Sequence, residues 1–247
     1  MEINVSPRKV DAGRAAADKA SETLRTALRS KKRVRFVAAT GSSQFDFLDF
    51  LCKSHGIDWA RTEMFHLDEY VALPATHPAS FRNYLNERLV KRVRPGEIHL
   101  IEGDARDPEA ECRRISGLIS KESVDVAFVG IGENGHLAFN DPPADFEIET
   151  PYIIVKLDEK CRKQQIGEGW FNSIDEVPEK AISMSIKQIM RSSNIICTCP
   201  DKRKAEAVRD CLSADSPVTP IHPSSILKEH PRCYVFLDKD SASLLRR

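Results

Sequence analysis

The run from Gly130 to Asp141 (GIGENGHLAFND) joins a glycine-rich turn to groups that can transfer protons. His136 is central, because imidazole gains and loses a proton near neutral pH without help. Asn134 and Asp141 are near enough along the chain to orient its ring. Gly135, directly before it, allows a tight loop to approach a ligand closely. This segment is predicted to be an active-site loop.

A second acidic motif, Asp68-Glu69, follows the short apolar run of residues 64–67. A carboxyl group at the end of a buried strand is partly desolvated, which raises its pKa toward neutrality and suits it to act as a general base. On residue types alone, either acid could be that base, and either could instead cap a helix or join a salt bridge.

The segment Thr40-Gly41-Ser42-Ser43 stands between a predicted strand and a predicted helix, so its amides and hydroxyls can converge on an anion. It lacks the Walker lysine and the three-glycine pattern of dinucleotide sites. A phosphate cradle and an ordinary strand-to-helix turn both fit this loop. Lys204, in the basic segment 201–204, could complete a phosphate site or lie in a solvated turn.

Between these motifs, apolar runs rich in β-branched residues alternate with segments of helical spacing. The predicted strands are Val34–Ala39, Glu63–Leu67, Ile98–Glu102, Val124–Ile131, Tyr152–Leu157, Ala181–Ser185, Asn194–Cys199 and Cys233–Leu237. The predicted helices are Val10–Leu28, Gln44–His55, Ser80–Val93, Pro108–Ser120, Glu159–Glu168 and Lys202–Cys211. This order predicts an α/β fold: one Rossmann-like domain over residues 1–247, with a doubly wound, mostly parallel sheet flanked by helices. Ligands bind at the carboxyl ends of such strands, where the candidate motifs fall.

The composition of the chain excludes some classes of protein. Hydrophobic residues make up 41% and charged residues 30% of the chain, as in ordinary globular proteins. Lys plus Arg and Asp plus Glu both number 37, so no overall field favours nucleic acid or an anionic membrane. The N-terminal segment lacks the apolar core of a signal peptide, and no run has membrane-spanning length. We expect a cytoplasmic protein with neither nucleic acid nor membrane as a partner.

The seven cysteines are odd in number and scattered, without the paired spacing of a metal site. Reduced thiols that pack in the core are expected, and no metal site is predicted.

Several motifs together resemble the glucosamine-6-phosphate deaminase (isomerase) family, within the superfamily that also holds 6-phosphogluconolactonases. The resemblance covers nearly the whole chain. Its motifs are Leu67-Asp68-Glu69-Tyr70-Val71, His77-Pro78-Ala79-Ser80-Phe81, the Gly130-to-Pro142 run, the Thr40-to-Ser43 loop and Pro223-Ser224-Ser225-Ile226-Leu227.

The resemblance implies a sugar-phosphate isomerase/deaminase of amino-sugar catabolism, which converts glucosamine 6-phosphate and water to fructose 6-phosphate and ammonia without a metal or organic cofactor. It implies that His136 opens the sugar ring while Asn134 and Asp141 hold it, and that Asp68 moves a proton from carbon 2 to carbon 1. The other implied site residues are Glu69 and Gly135 in support, and Thr40, Gly41, Ser42, Ser43 and Lys204 around the phosphate.

The chain departs from the family pattern at three places. Asp141 replaces a common Glu, and we expect the shorter side chain to reach His136 less directly. Gln44 replaces the proline that usually ends the phosphate loop. A phosphate-binding Arg aligns near Glu168, where the charge is reversed. Arg162, Lys163 or Gln164 is the expected substitute for that cation.

Two other functions fit the resemblance less well. Lactonases of the 6-phosphogluconolactonase type carry Arg after Asp-Glu and lack the Phe-Asn-acid run, whereas this chain has Tyr70 and Phe139-Asn140-Asp141. A non-catalytic sugar-phosphate sensor would normally add a DNA-binding domain with a basic helix, for which the sequence offers no candidate. The preferred amino-sugar phosphate, and whether the chain forms a homo-oligomer, stay open.

Overall fold

A parallel sheet of seven strands forms the centre of the fold in the computed structural model, which describes residues 1–246. In chain order, all the strands are β1 (Glu2–Ser6), β2 (Val34–Ala38), β3 (Thr62–His66), β4 (Asp68–Tyr70), β5 (Glu97–His99), β6 (Val126–Val129), β7 (Tyr152–Lys156), β8 (Lys180–Met184), β9 (Ile195–Thr198) and β10 (Cys233–Asp238). The large sheet has the order β1-β10-β9-β6-β2-β3-β5, and every neighbouring pair is parallel. The strand order changes direction between β2 and β6, which is where such sheets form a ligand crevice.

Helices cover both faces of this sheet. In chain order, the helices of the whole fold are α1 (Lys9–Ser30), α2 (Phe45–Lys53), α3 (Phe81–Leu85), α4 (Lys91–Val93), α5 (Pro108–Ile119), α6 (Glu159–Gly167), α7 (Ile186–Met190) and α8 (Ala205–Leu212). Helices α1 and α2 share one apolar core with Phe36 and Ala38 of β2, while α5, α7 and α8 share the other with Val37. Successive residues of β2 thus point to opposite cores, as expected for a strand buried on both faces. The predicted single-domain, mostly parallel α/β fold is confirmed.

A second, smaller sheet corrects part of the prediction. The predicted strands at 152–157 and 181–185 exist, but as β7 and β8 they pair antiparallel with each other, and β8 pairs with β4. They do not belong to the doubly wound sheet. Strand β4 was not predicted, because three residues beginning with two acids carry no strand pattern, and its partner lies more than 100 residues away in the sequence.

The remaining differences from the predicted elements are local. Strand β1 lies at the sheet edge, pairs with β10 alone and is only partly buried, so its polar sequence lacks a core signature. The predicted helix 80–93 contains a π-helical segment, Asn86–Val90, between α3 and α4. Strand β5 ends at His99 rather than 102, and the short helix α7 was not predicted.

All seven cysteines lie within the described residues, and none is disulfide-bonded. Cys52 is half-buried and the other six are buried, which agrees with packing thiols. None of the helices formed by residues 1–246 has the length and apolar character needed to cross a membrane.

The two sheets meet where the chain leaves β3. Leu67 donates its N–H to the carbonyl of Ala38 in the large sheet, and its own carbonyl accepts from Met184 in the small one. The buried Tyr152 hydroxyl donates to the carbonyl of His66 at 2.7 Å, which ties β7 to the end of β3. This junction fixes the position of the next residue, Asp68.

Replacement of Tyr152 by Phe should weaken this junction. The variant leaves the buried carbonyl of His66 without its hydroxyl donor, so the free energy of unfolding should fall by about 1 kcal/mol in urea titrations. Tyr234→Phe is the control, because its half-buried hydroxyl makes no hydrogen bond within residues 1–246. Equal stability of the two variants would contradict a role for the Tyr152 bond.

Candidate active site

Loops from the carboxyl ends of three strands surround one cleft. The loop after β2 supplies Thr40, Gly41 and Ser43, the chain after β3 supplies Asp68, and the loop after β6 supplies His136. Lys204 reaches the same cleft from the 3₁₀ turn Lys202–Lys204 before α8. The cleft holds about 540 Å³ of space outside the protein atoms, including open solvent at its mouth. Of the predicted site residues, these six line the cleft, and Ser42, Glu69, Asn134, Gly135 and Asp141 lie behind it.

Asp68 is a buried carboxylic acid on the wall of the cleft. Its side chain accepts no hydrogen bond from any of residues 1–246, and the residue is only 6% exposed. Burial, together with the negative charge of Glu69 beside it, raises the pKa of Asp68 to about 8. An acid with these properties can hold or release a proton near neutral pH, as a general base requires.

Glu69 is held very differently. Its carboxylate accepts hydrogen bonds from the Ser80 hydroxyl at 3.0 Å and from the backbone amides of Tyr70, Phe81 and Arg82 at 2.8–3.1 Å. The charged guanidinium of Arg82 lies 3.6 Å away. The side chain points away from the cleft and secures the first turn of α3 against β4. Its geometry is that of a supporting residue.

The imidazole of His136 is oriented by a carboxylate. Its Nδ1 lies 3.1 Å from Oδ1 of Asp141, which also accepts from the Asn134 amide at 2.9 Å. The side-chain oxygen of Asn134 in turn accepts a hydrogen bond from the backbone N–H of His136 at 3.1 Å. Nε2 makes no hydrogen bond within residues 1–246 and so stays available to a ligand. Contrary to the expectation from its length, Asp141 reaches His136 directly.

Asp141 is anchored from its other side by α6. Its Oδ2 accepts the backbone N–H of Asp158 at 2.9 Å, and the Asp158 carboxylate accepts from Asn134 at 3.0 Å. Burial acts to raise the pKa of Asp141, but the contact with His136 and the bonds from Asn134 and Asp158 outweigh it and hold the pKa below its ordinary value. Asp141 is therefore held as a carboxylate that contacts the His136 ring and fixes its orientation.

The loop backbone makes room for the His136 ring. A Cβ at Gly132 would stand 2.3 Å from ring atoms of His136, so a larger residue there would displace the imidazole. The Ser224 hydroxyl donates to the carbonyl of His136, and its N–H donates to the carbonyl of Gly135. Pro223-Ser224-Ser225 thus supports the loop from behind.

The opposite end of the cleft is suited to an anion. The Tyr84 hydroxyl fixes the start of the turn Ser42–Gln44 by donating to the carbonyl of Gly41 at 3.0 Å. Lys204 is only 4% exposed and forms no ion pair within residues 1–246. A buried, unpaired ammonium group that faces a cleft favours a negatively charged ligand.

Helix α6 brings groups to the cleft that residue types alone do not identify. Gln164, Gln165 and Glu168 line it, and Asp158 contacts the His136 support. Glutamines and helix-capping aspartates are common on any helix, so the sequence gives no signal for Gln164, Gln165 or Asp158. Only the alignment with the family pointed to Glu168. Of the expected substitutes for the missing cation, Gln164 alone reaches the cleft. Arg162 donates to carbonyls of residues 174 and 177, and Lys163 pairs with Glu159 on the surface.

Two groups of three side chains bring potential metal ligands within 4.8 Å of one another in residues 1–246: His136, Asp141 and Cys161, and Glu63, Glu97 and His99. In the first, His136 and Asp141 bond to each other. In the second, Arg33 and Arg35 pair with the acids. Contacts within the protein therefore account for both groups.

Comparison with known proteins agrees with this geometry. A model of the family described as glucosamine-6-phosphate isomerases/6-phosphogluconolactonase matches residues 7–234. The chain belongs to this family. Within it, the chain is 36% identical over 208 residues to the glucosamine-6-phosphate deaminase of Lactobacillus delbrueckii subsp. bulgaricus, covering 84% of this chain and 86% of that one. It is 32% identical to the deaminase of Oenococcus oeni over 247 residues, the full length of both.

Solved structures in the glucosamine-6-phosphate isomerase/6-phosphogluconolactonase family share the fold. A monomeric glucosamine-6-phosphate deaminase superposes with a TM-score of 0.89 at 31% identity, covering 99% of this chain and all of that one. The 6-phosphogluconolactonase of Trypanosoma brucei superposes with a TM-score of 0.78 at 18% identity, covering 98% of this chain and 97% of that one. At that identity the likeness shows the fold alone.

Removal of the Asp68 charge should stabilise this family member at alkaline pH. The unfolded chain ionises Asp68 near pH 4, whereas the folded chain resists ionisation up to about pH 8, so wild-type stability should fall as pH rises between these values. Asp68→Asn avoids this penalty. Its unfolding free energy relative to wild type should increase from pH 4 to pH 9 by about 2–5 kcal/mol in denaturant titrations. The exposed Asp58→Asn should show no such trend, and a flat Asp68→Asn difference would refute the buried-acid assignment.

Lys204 should dominate anion binding in the cleft. Lys204→Met removes the buried positive charge, so calorimetric titration with inorganic phosphate should show affinity reduced by about tenfold or more. Lys202→Met is the matched control, because Lys202 is exposed on the same turn. Equal phosphate affinity in both variants would place the anion elsewhere.

Proposed function

We propose that the protein is a glucosamine-6-phosphate deaminase, which converts glucosamine 6-phosphate and water to fructose 6-phosphate and ammonia in amino-sugar catabolism, with residues 1–247 acting as one domain. The observation that carries this proposal is the cleft itself. An unpartnered buried acid, Asp68, shares it with a carboxylate-supported imidazole, His136, and a buried ammonium, Lys204. These groups match the three tasks of the reaction: carbon-acid chemistry, ring opening and phosphate binding.

Phosphate binding comes first. The amides and hydroxyls of Thr40, Gly41, Ser42 and Ser43 would hold the phosphate oxygens, with Lys204 supplying a buried positive charge. Anchoring at this end leaves the sugar to extend toward Asp68 and His136. Binding energy from the phosphate therefore positions carbons 1 and 2, which lie away from the charged group.

Ring opening requires a proton to leave the anomeric hydroxyl and another to reach the ring oxygen. Nε2 of His136 is free for this transfer, while Nδ1 is engaged by Asp141. The carboxylate stabilises the imidazolium that forms part-way, and Asn134 and Asp158 keep Asp141 in place. Asn134 and Asp141 are thus positioning residues, and His136 is the group that meets the sugar.

Isomerisation then begins at carbon 2 of the open-chain aldehyde. Asp68 takes the carbon-2 proton while the aldehyde oxygen takes a proton from the sugar's ammonium group, which gives an enolamine. Asp68 then returns its proton to carbon 1, which gives a protonated imine at carbon 2. Water hydrolyses that imine to the ketone and ammonia. An ammonium group on the bound sugar would lower the pKa of Asp68 from its value in the empty cleft and favour the carboxylate needed as base.

Lactone hydrolysis fits the site less well. That reaction breaks an acyl–oxygen bond and has no carbon acid to deprotonate, so it would leave the raised pKa of Asp68 without a role. The two curated deaminases and the solved deaminase structure reported above are 31–36% identical to this chain, whereas the lactonase of Trypanosoma brucei is 18% identical. The run Phe139-Asn140-Asp141, which holds the His136 support, also follows the deaminase pattern.

The proposal is tested by turnover. The purified protein with glucosamine 6-phosphate should release ammonia and fructose 6-phosphate in equal amounts, each measured by a coupled enzymatic assay. Asp68→Asn removes the base and should lower kcat by about 100- to 10,000-fold, while Asp58→Asn should match wild type.

Three results would contradict this assignment. Full activity of Asp68→Asn would remove the carbon-acid role of Asp68. Binding of glucosamine 6-phosphate in a thermal shift assay without any turnover would indicate a sensor, and hydrolysis of 6-phosphogluconolactone alone would indicate the lactonase activity.

A further inference from the structure

The anion end of the cleft already contains a carboxylate of the protein. Oε2 of Glu168 accepts the backbone N–H of Ser42 at 3.3 Å and the indole N–H of Trp170 at 3.3 Å. Oε1 accepts from the Gln164 amide at 2.8 Å. A Cβ at Gly41 would stand 3.9 Å from Oε2. Glu168 therefore occupies the loop that the proposed function assigns to phosphate.

The charges around Glu168 are those of an anion site. Burial acts to raise the pKa of Glu168, but the positive charge of Lys204 and the bonds from Gln164, Ser42 and Trp170 outweigh it and hold the pKa below its ordinary value. The group is thus a carboxylate at neutral pH. No carboxylate of residues 1–246, Glu168 included, comes within 4.0 Å of the Lys204 ammonium.

A phosphate and this carboxylate compete for the same groups. Both need the Ser42 amide and the field of Lys204, and two anions about 4 Å apart repel by about 1 to 4 kcal/mol per pair of unit charges near a protein surface. Entry of a phosphate with Glu168 in place would therefore be opposed. Departure of Glu168 would release three donors to the incoming ligand.

Departure of Glu168 requires only its side chain to move, since the backbone N–H groups of Glu168 and Gly169 are bonded to Gln164 and Ile166. Glu168 stands between Gly167 and Gly169 just after α6 ends, and Gly169 adopts a φ of +81°. A Cβ at either glycine would meet no atom within 4 Å, so neither glycine is required by packing. Trp170 is anchored next to this turn by its edge-on contacts with Phe45 and Tyr84.

We propose that Glu168 is the protein's own occupant of the anion site and that the phosphate of the substrate must displace it, so that this residue sets the affinity for the sugar phosphate. The proposal rests on the proposed function for the identity of the substrate. The proposal states that one carboxylate and one phosphate compete for the Ser42 amide and Lys204. This competition can be tested with inorganic phosphate, without the sugar.

The test compares Glu168→Gln with wild type. The isosteric amide removes the charge, so calorimetric titration should show inorganic phosphate binding tighter by about tenfold, on the scale of one charged interaction. With glucosamine 6-phosphate, KM should fall by a similar factor while kcat stays within about twofold. Glu168→Asp keeps the charge on a side chain one methylene shorter, which reaches Ser42 less well, and should give an intermediate phosphate affinity.

Glu159→Gln is the matched control. Glu159 lies at the start of α6, exposed and paired with Lys163, so its charge is lost outside the cleft and phosphate affinity should not change. Unchanged or weaker phosphate binding by Glu168→Gln would overturn the proposal and make Glu168 part of the cradle. Absence of measurable phosphate binding in both wild type and Glu168→Gln would overturn it too. The phosphate titration tests the role of Glu168 even if the protein does not turn over glucosamine 6-phosphate. Failure of this proposal and failure of the proposed function are therefore distinguishable.

Discussion

Burial of two adjacent acids is the constraint around which the rest of this structure is arranged. Asp68 and Glu69 enter the interior together, and two neighbouring carboxylates in a low-dielectric site cannot both be charged without strong compensation. In this fold, Glu69 accepts hydrogen bonds from one hydroxyl and three backbone amides, and the Arg82 guanidinium lies beside its carboxylate. Asp68 is left without a donor in residues 1–246, and its pKa rises to about 8. Two like residues thus acquire different chemistry from their surroundings.

This difference between Asp68 and Glu69 depends on how the chain passes from the large sheet to the small one. Leu67 bonds to both, and the side chain of the next residue can point into the cleft only because β4 pairs with β8. The small sheet also supports the His136 loop, since the Ser183 hydroxyl accepts the N–H of Phe139 and the carbonyl of Met184 accepts from Asn140. Asp68 and the His136 loop are therefore both bonded to the small sheet, which fixes their relative positions.

The parts of this site that the sequence predicts are those governed by local rules. Polar residues after apolar strands had to meet at one edge of a parallel sheet, which brought Asp68, His136 and the Thr40-to-Ser43 loop together without any knowledge of contacts. The small sheet could not be found in this way, because β4 has three residues and its pairing joins Asp68 to Ser183. The position of Glu168 was equally hidden, since its bond to Ser42 spans 126 residues.

Burial of Lys204 explains why a carboxylate in an anion site is tolerable to the fold. An ammonium group taken out of water is costly unless negative charge is near, and no ion pair compensates Lys204 within residues 1–246. In the empty cleft the carboxylate of Glu168 provides that charge at longer range, as its lowered pKa indicates. A bound phosphate would provide the same compensation at closer range and with more charge. If phosphate displaces Glu168 as proposed, Lys204 faces a negative charge both with and without the ligand, which lowers the cost of its burial.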